Sequence, residues 1–374
     1  MSRAIDRDTA AAIQLGDPEA AFCAIADVLT KEPTSLSSPT QLEIEFLGRE
    51  YPSLPAGEYL LHDGNAVAIP KLALLQAFTV ARKTLQNHRA DTPESLDSDD
   101  SHNQSIWRAT AVILLFDPEH LTAANTRKRL IRASLQQGPV SSAAATESSL
   151  LSHELHLIDS LLTSHLHRHT KSPTLWSHRR WLLSFLATSV VKKSREEGNT
   201  ILLHGITNVV MVAAVRHPRN YYAWEHARWL VCWLQTHSQE KDKNVNLVVI
   251  ARDWCYRNHT DTSGWSFLFF LLASLSLPPS AASLSPLYEE TVGQVEQMAK
   301  SLRWTGEAVW VFLRTAVAYQ RRIRGDKFEA CHDFEEAVSA LLATFDTMSN
   351  HHRVLERSQK WLAINAPQRI PANT

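Results

Sequence analysis

Glycine is scarce in this chain, 11 of 374 residues. Neither GxGxxG nor GxxxxGK followed by Ser or Thr occurs, so no backbone cradle for nucleotide phosphates is expected. Cysteine is scarcer still: Cys23, Cys232, Cys255 and Cys331 are scattered and form no CxxC. That excludes a disulfide framework or a thiolate zinc site and fits reduced thiols. Charge of one sign is missing too. Lys+Arg 38 against Asp+Glu 39 gives a formal −1, without the basic excess that usually accompanies nucleic-acid binding, though a local basic pocket stays open. The longest apolar run, GWSFLFFLLASLSL near residue 270, is too short to span a bilayer and reads as a buried helix. Residues 1–20 carry acids and polar residues in place of an apolar signal core. A cytoplasmic chain with no membrane span and no nucleic-acid partner is expected.

What the chain does have is a tryptophan-centred repeat. KSPTLWSHRRWLL, from Lys171 to Leu183, is followed by RNYYAWEHARWLV, from Arg219 to Val231. Trp176 aligns with Trp224, His178 with His226, Arg180 with Arg228 and Trp181 with Trp229. Trp176, Trp224, Trp265 and Trp310 recur at intervals of roughly 40–50 residues, a period typical of stacked helical hairpins. HLTAANTRKRLI fits the same template upstream, with Ala124 at the tryptophan position. Each unit reads as an apolar helix, a short polar turn and a tryptophan helix. Ser172 is placed to cap the tryptophan helix with Pro173 at its first position, where the missing N–H costs nothing; Asp117-Pro118-Glu119 offers the same chemistry one unit earlier.

The expected fold is all-α: a right-handed α-α superhelix (a solenoid) of about five helical hairpin repeats plus flanking helices. Its organisation reads as an N-terminal helical cap region over 1–85, a disordered acidic insertion over 86–105, a helical repeat domain over 106–365 and a flexible tail over 366–374. Only residues 42–70, opening with LEIEFLG, suggest extended chain.

The four tryptophans read chiefly as core anchors. Four places after each anchor position stand Lys128, Arg180, Arg228, Phe269 and Arg314. A basic residue beside a buried aromatic needs an acid, a carbonyl, an aromatic face or an anionic ligand. Two readings stand: links between repeats, or a basic face toward a phosphate or an acidic partner. His153, His156, His165, His167 and His169 lack HExxH spacing and read as helix-surface and loop histidines, so no metal-ligating set is expected. No nucleophile elbow or paired catalytic carboxylates are recognisable.

These blocks resemble the repeat of protein prenyltransferase alpha subunits, approximately Asn-Tyr-x-x-Trp-x-x-Arg-x-x-x-Leu. The span from LLFDPEHLTAANTRKRLI to TKSPTLWSHRRW is similar to the divergent branch called protein prenyltransferase alpha subunit repeat-containing protein. The resemblance implies a scaffold subunit with no cofactor of its own, wrapped around a catalytic beta subunit that holds zinc and the isoprenoid. It implies diphosphate support by a lysine five residues before the repeat tryptophan, the place of Lys171, with Arg219 corresponding in the next unit. Asn220-Tyr221 matches the Asn-Tyr pair and Tyr222 replaces a common histidine. His178, Arg180, His226 and Arg228 join these residues as a candidate substrate or partner interface. The implied activity is geranylgeranyl, or farnesyl, transfer to a C-terminal cysteine of a protein substrate. The implied partner is a beta subunit of the Rab geranylgeranyltransferase type. A non-enzymatic α-solenoid scaffold for protein–protein interaction is the alternative.

Overall fold

The computed structural model describes residues 16–31, 41–48, 54–55, 57–90, 100–137, 143–190, 195–237, 245–275, 286–324 and 332–366. The protein is mostly helical, 78% helix with little sheet. It divides into two compact units, Met1–His226 and Ala227–Thr374.

Among the described residues the first unit begins with α1 (Pro18–Leu29), capped by Asp17, whose side chain accepts the Ala20 N–H, with proline in the first turn. The extended region is a small sheet of β1 (Glu43–Leu47), β2 (Leu61–Asp63) and β3 (Ala66–Pro70) in the order β1-β3-β2. β1 runs parallel to β3 and β2 antiparallel to it. The two-residue turn between β2 and β3 holds Gly64 at φ 59, a conformation glycine adopts without strain. Ile44, Leu47, Val67 and Ile69 are buried. The region expected as a helical cap over 1–85 therefore includes strands: Ile44 stands between Glu43 and Glu45, and Val67 and Ile69 alternate with alanines, which puts these β-branched side chains in the core.

Helices follow: α2 (Lys71–Ala90), α3 (Asp100–Phe116), α4 (Leu121–Gln137), α5 (Ala143–Thr163), the single-turn α6 (His167–Thr170) and α7 (Pro173–Val190). Then come α8 (Arg195–His204), a π-helical segment Gly205–Val210, α9 (Met211–Arg216) and α10 (Tyr221–His237). The division between the units falls inside α10. Both ends of the expected disordered insertion over 86–105 are helical. α2 continues to Ala90 and α3 starts at Asp100, where His88 Nδ1 lies 3.0 Å from His102 Nε2; residues 91–99 lie outside the described residues. Apart from Ala366, so does the expected tail over 366–374. In this unit α5 packs against both α4 and α7, and β1 packs on α5. Leu42 N–H donates to Ser160 Oγ at 2.9 Å, and Arg216 pairs with Glu43 at 2.8 Å.

The second unit holds the rest of α10, α11 (Val245–Arg257), α12 (Thr262–Leu275), α13 (Pro286–Ser301), α14 (Glu307–Arg324), α15 (His332–Leu342) and α16 (Asn350–Asn365). α12, α14 and α16 pack in sequence as one layer, and α13 and α15 pack beside each other as another. The α15–α16 hairpin lacks a tryptophan anchor, yet it keeps the local rule. Ser349 caps α16 by accepting the His352 N–H, as Ser172 accepts the Leu175 N–H at the start of α7. Among the described residues no helix is long and apolar enough to cross a membrane.

Candidate functional site

Three of the four tryptophan helices start with a polar residue four places before the anchor, and Gly306 holds that place before Trp310. Ser172, Asn220 and Asp261 accept the N–H of Leu175, Ala223 and Gly264 at 3.1, 3.3 and 2.9 Å. In the first unit of the repeat the cap is His120, whose Nδ1 accepts the Ala123 N–H at 3.1 Å. Asp117 is not that cap: it lies a turn earlier and accepts the Glu119 N–H at 3.3 Å. The anchor indoles turn back on the same loops. Trp176, Trp265 and Trp310 donate to the carbonyls of Thr170, His259 and Trp304 at 2.9, 3.0 and 2.7 Å, always six residues upstream. All four anchors, Trp224 included, are buried. An indole needs a partner for its N–H when buried, and these carbonyls supply it while closing the turn.

The turns before α7 and α10 are stitched together. Asn220 Nδ2 donates to Thr170 O at 2.8 Å, the carbonyl that also receives the Trp176 indole. Lys171 Nζ lies 3.4 Å from Pro218 O, and Ser172 Oγ reaches Pro118 O at 3.2 Å. Arg219 is exposed and sits in the left-handed region at φ 59, a strained conformation for a non-glycine residue. Next to it Tyr221 and Tyr222 are 66% and 39% exposed, their rings edge to face at 5.8 Å. Lys171, Arg219, Tyr221 and Tyr222 thus line adjoining turns held by the buried Asn220.

The remaining candidates lie elsewhere. His178 and His226 are fully buried, so neither forms an exposed interface. Their position two places after the anchor faces the neighbouring repeat. Arg180 pairs with Glu225 at 2.5 Å across two half-exposed side chains. In the second unit Arg228 donates to Ser266 Oγ at 2.8 Å and lies over the Phe270 ring. Lys128 and Arg314, at the same repeat position, approach the rings of Trp181 and Trp361 at 5.6 and 4.8 Å. These cations reach toward following helices, as the reading of links between repeats requires. The histidine cluster needs a correction as well: His156 and His169 are buried. His169 Nε2 reaches Leu115 O at 2.7 Å, and burial holds its pKa down to about 4.

The strongest electrostatics belong to residues one place away from the predicted basic stripe. Arg127 and Arg179, three places after the anchor positions, are each 1% exposed. Arg127 forks onto Glu154, with Nε at 2.8 Å and Nη2 at 2.5 Å from the carboxylate, while Nη1 donates to Trp107 O and Thr110 Oγ1. His178 Nε2 lies 3.1 Å from Glu154 Oε1, the oxygen that also accepts from Arg127 Nε. Arg179 repeats the design: Nε and Nη2 take Asp159 at 2.7 and 3.3 Å, and Nη1 donates to His226 Nε2 at 2.8 Å. Burial works to raise the Glu154 pKa, but the Arg127 charge and hydrogen bonds, with His178, bring it down to about 2. Burial holds both imidazoles in their neutral forms, opposed at His178 by Glu154 and reinforced at His226 by Arg179 and Arg180. The first cluster therefore joins α4 to α7 through Glu154 of α5, and in the second Arg179 of α7 binds both Asp159 of α5 and His226 of α10. The sequence signal for them was present: the arginine of Trp-x-x-Arg at 179, and two acids, Glu154 and Asp159, inside an otherwise apolar helix.

Residues 151–186 match the protein prenyltransferase alpha subunit repeat, and residues 175–282 match the ECM9 middle domain. No curated protein matches this chain. The first match holds the α5–α7 hairpin with Glu154, Asp159, Lys171, Trp176, His178 and Arg179. The chain carries a protein prenyltransferase alpha subunit repeat.

Proposed function

We propose that the protein is the alpha-type subunit of a heterodimeric protein prenyltransferase. In this reading its hairpins form a right-handed superhelix that embraces a zinc-containing beta subunit. The beta subunit activates the acceptor cysteine and encloses the isoprenoid, and this chain positions it. The repeat matched over 151–186 carries the proposal. The adjoining turns of Lys171, Arg219, Tyr221 and Tyr222, fixed by the Asn220–Thr170 hydrogen bond, give it a chemical role. Breaking the carbon–oxygen bond of an allylic diphosphate develops negative charge on the leaving group, and an ammonium placed beside it lowers the barrier. Lys171 supplies that ammonium. The lipid is geranylgeranyl, with farnesyl second, the acceptor is a cysteine near a protein's C-terminus, and the beta partner is of the Rab geranylgeranyltransferase type.

Co-expression with that beta subunit, followed by transfer of a labelled isoprenoid to a cysteine-ended protein, tests the proposal. Lys171→Ala is expected to lower kcat roughly tenfold or more while the complex still forms. Unchanged turnover in Lys171→Ala removes the lysine from the mechanism. A complex without transfer from either donor favours a scaffold that binds a partner without chemistry. One observation supports that second reading: Lys171, Arg180 and Arg228 each make a contact within the chain.

A further inference from the structure

The two buried arginine–carboxylate–histidine links look alike, but their histidines face opposite charges. His178 faces the Glu154 carboxylate, and behind it stand Arg127 and Lys128. A proton arriving on His178 meets an anion. His226 faces the Arg179 guanidinium. Arginine can only donate, so His226 Nε2 accepts and its ring is neutral with the proton on Nδ1. A second proton would set an N–H against an N–H and one cation against another. From α7 the groups acting on His226 are Arg179 and Arg180, and the Trp176 ring lies 5.1 Å away. From α5 comes Asp159, which is already bound by the Arg179 fork and also acts on His156 and, from α8, on His204. On α10 itself the adjacent acid, Glu225, pairs with Arg180.

The geometry points to His226 as an acid-released latch between α7 and the start of α10, closed near neutral pH and opened by one proton. Opening separates His226 from Arg179 and loosens the turn that Asn220 ties to Thr170. The presentation of Lys171, Arg219, Tyr221 and Tyr222 then becomes pH-dependent. This rests on the contacts within the first unit and not on the proposed activity.

Hydrogen exchange of the full chain, corrected for intrinsic rates, at pH 7.5, 6.5 and 5.5 tests the latch. In the wild type the opening constant over residues 219–226 should rise by up to about tenfold per pH unit below about 6.5. His178→Gln should keep that response. His226→Gln, whose amide oxygen can still accept from Arg179 but does not titrate, should flatten it. An acid response in His226→Gln equal to the wild type's, or a wild type with no response over 219–226, overturns the latch. If His226→Gln does not fold, the wild-type imidazole signals decide. His226 gaining its proton together with loss of protection supports the latch, and gaining it while 219–226 stays protected defeats it.

Discussion

The same two repeat positions are built from different chemistry in the two units. Two and three places after the anchor, the first unit has Thr126-Arg127 and His178-Arg179, and the second has Phe267-Leu268 and Phe312-Leu313. All eight side chains are buried. The anchor geometry is nevertheless common to both, since Trp176 and Trp265 and Trp310 all donate to the carbonyl six residues upstream. The hairpin is therefore defined by the indole and its turn, and the filling between neighbouring hairpins is free to be ionic or apolar. An ionic filling is directional and demands specific partners from the next repeat. An apolar one, such as the Trp265–Phe312 contact at 5.1 Å, asks only for shape.

The ionic filling is most vulnerable at Glu154. Glu154→Leu leaves Arg127 buried without its carboxylate, and the first unit should lose about 3–5 kcal/mol. Protection of α4 to α7 in hydrogen exchange should fall while α12 to α14 keeps its own. A loss below about 1 kcal/mol would show that the ionic filling is idle. The shared anchor makes a symmetric prediction. Trp176→Ala and Trp265→Ala should each cost about 3–5 kcal/mol in denaturant unfolding; a large difference between them would mean that the indoles are not equivalent.

Acid sharpens the contrast further. Burial holds His156, His169, His178 and His226 below the ordinary 6.5, with His169 at about 4. The unfolded chain binds more protons than the folded one in this window, so the stability is complete above pH 6.5 and is lost as pH falls toward 4. His169 alone accounts for on the order of 3 kcal/mol over that range. Exchange measured across the titration should show the first unit weakening before the phenylalanine–leucine core of the second. The smallest effect is expected at the half-exposed Arg180–Glu225 pair, where Arg180→Ala should cost under about 1 kcal/mol.

Much of this was legible in the sequence, for identifiable reasons. The indole anchors, the cap at Ser172 and the helix after residue 262 follow from local spacing and end chemistry, which act within a few residues. The extended region at 42–70 was visible through LEIEFLG and the Pro/Gly-rich chain after it, but its pairing was not, because the parallel β1–β3 register joins residues such as Ile44 and Val67 across the intervening β2. The cap at His120 was missed because histidine is an unusual cap and Asp117-Pro118 imitates a common one. The basic stripe does reach between repeats, as one of its two readings had it, but the buried arginines beside it were not singled out. Arg179 and Arg180 are adjacent in the sequence, and only packing against α5 decides which of them meets Asp159 and is buried. Glu154 and Asp159 were legible only as acids in an apolar helix; their partners come from two other helices.

The proposed function requires that this repeat surface hold a prenyltransferase beta subunit. Purification of the tagged chain after co-expression with a beta subunit of the Rab geranylgeranyltransferase type, followed by an intact-mass measurement under native conditions, tests it most directly. A stable one-to-one complex is predicted. A chain that elutes alone, folded and without the beta subunit, would contradict it.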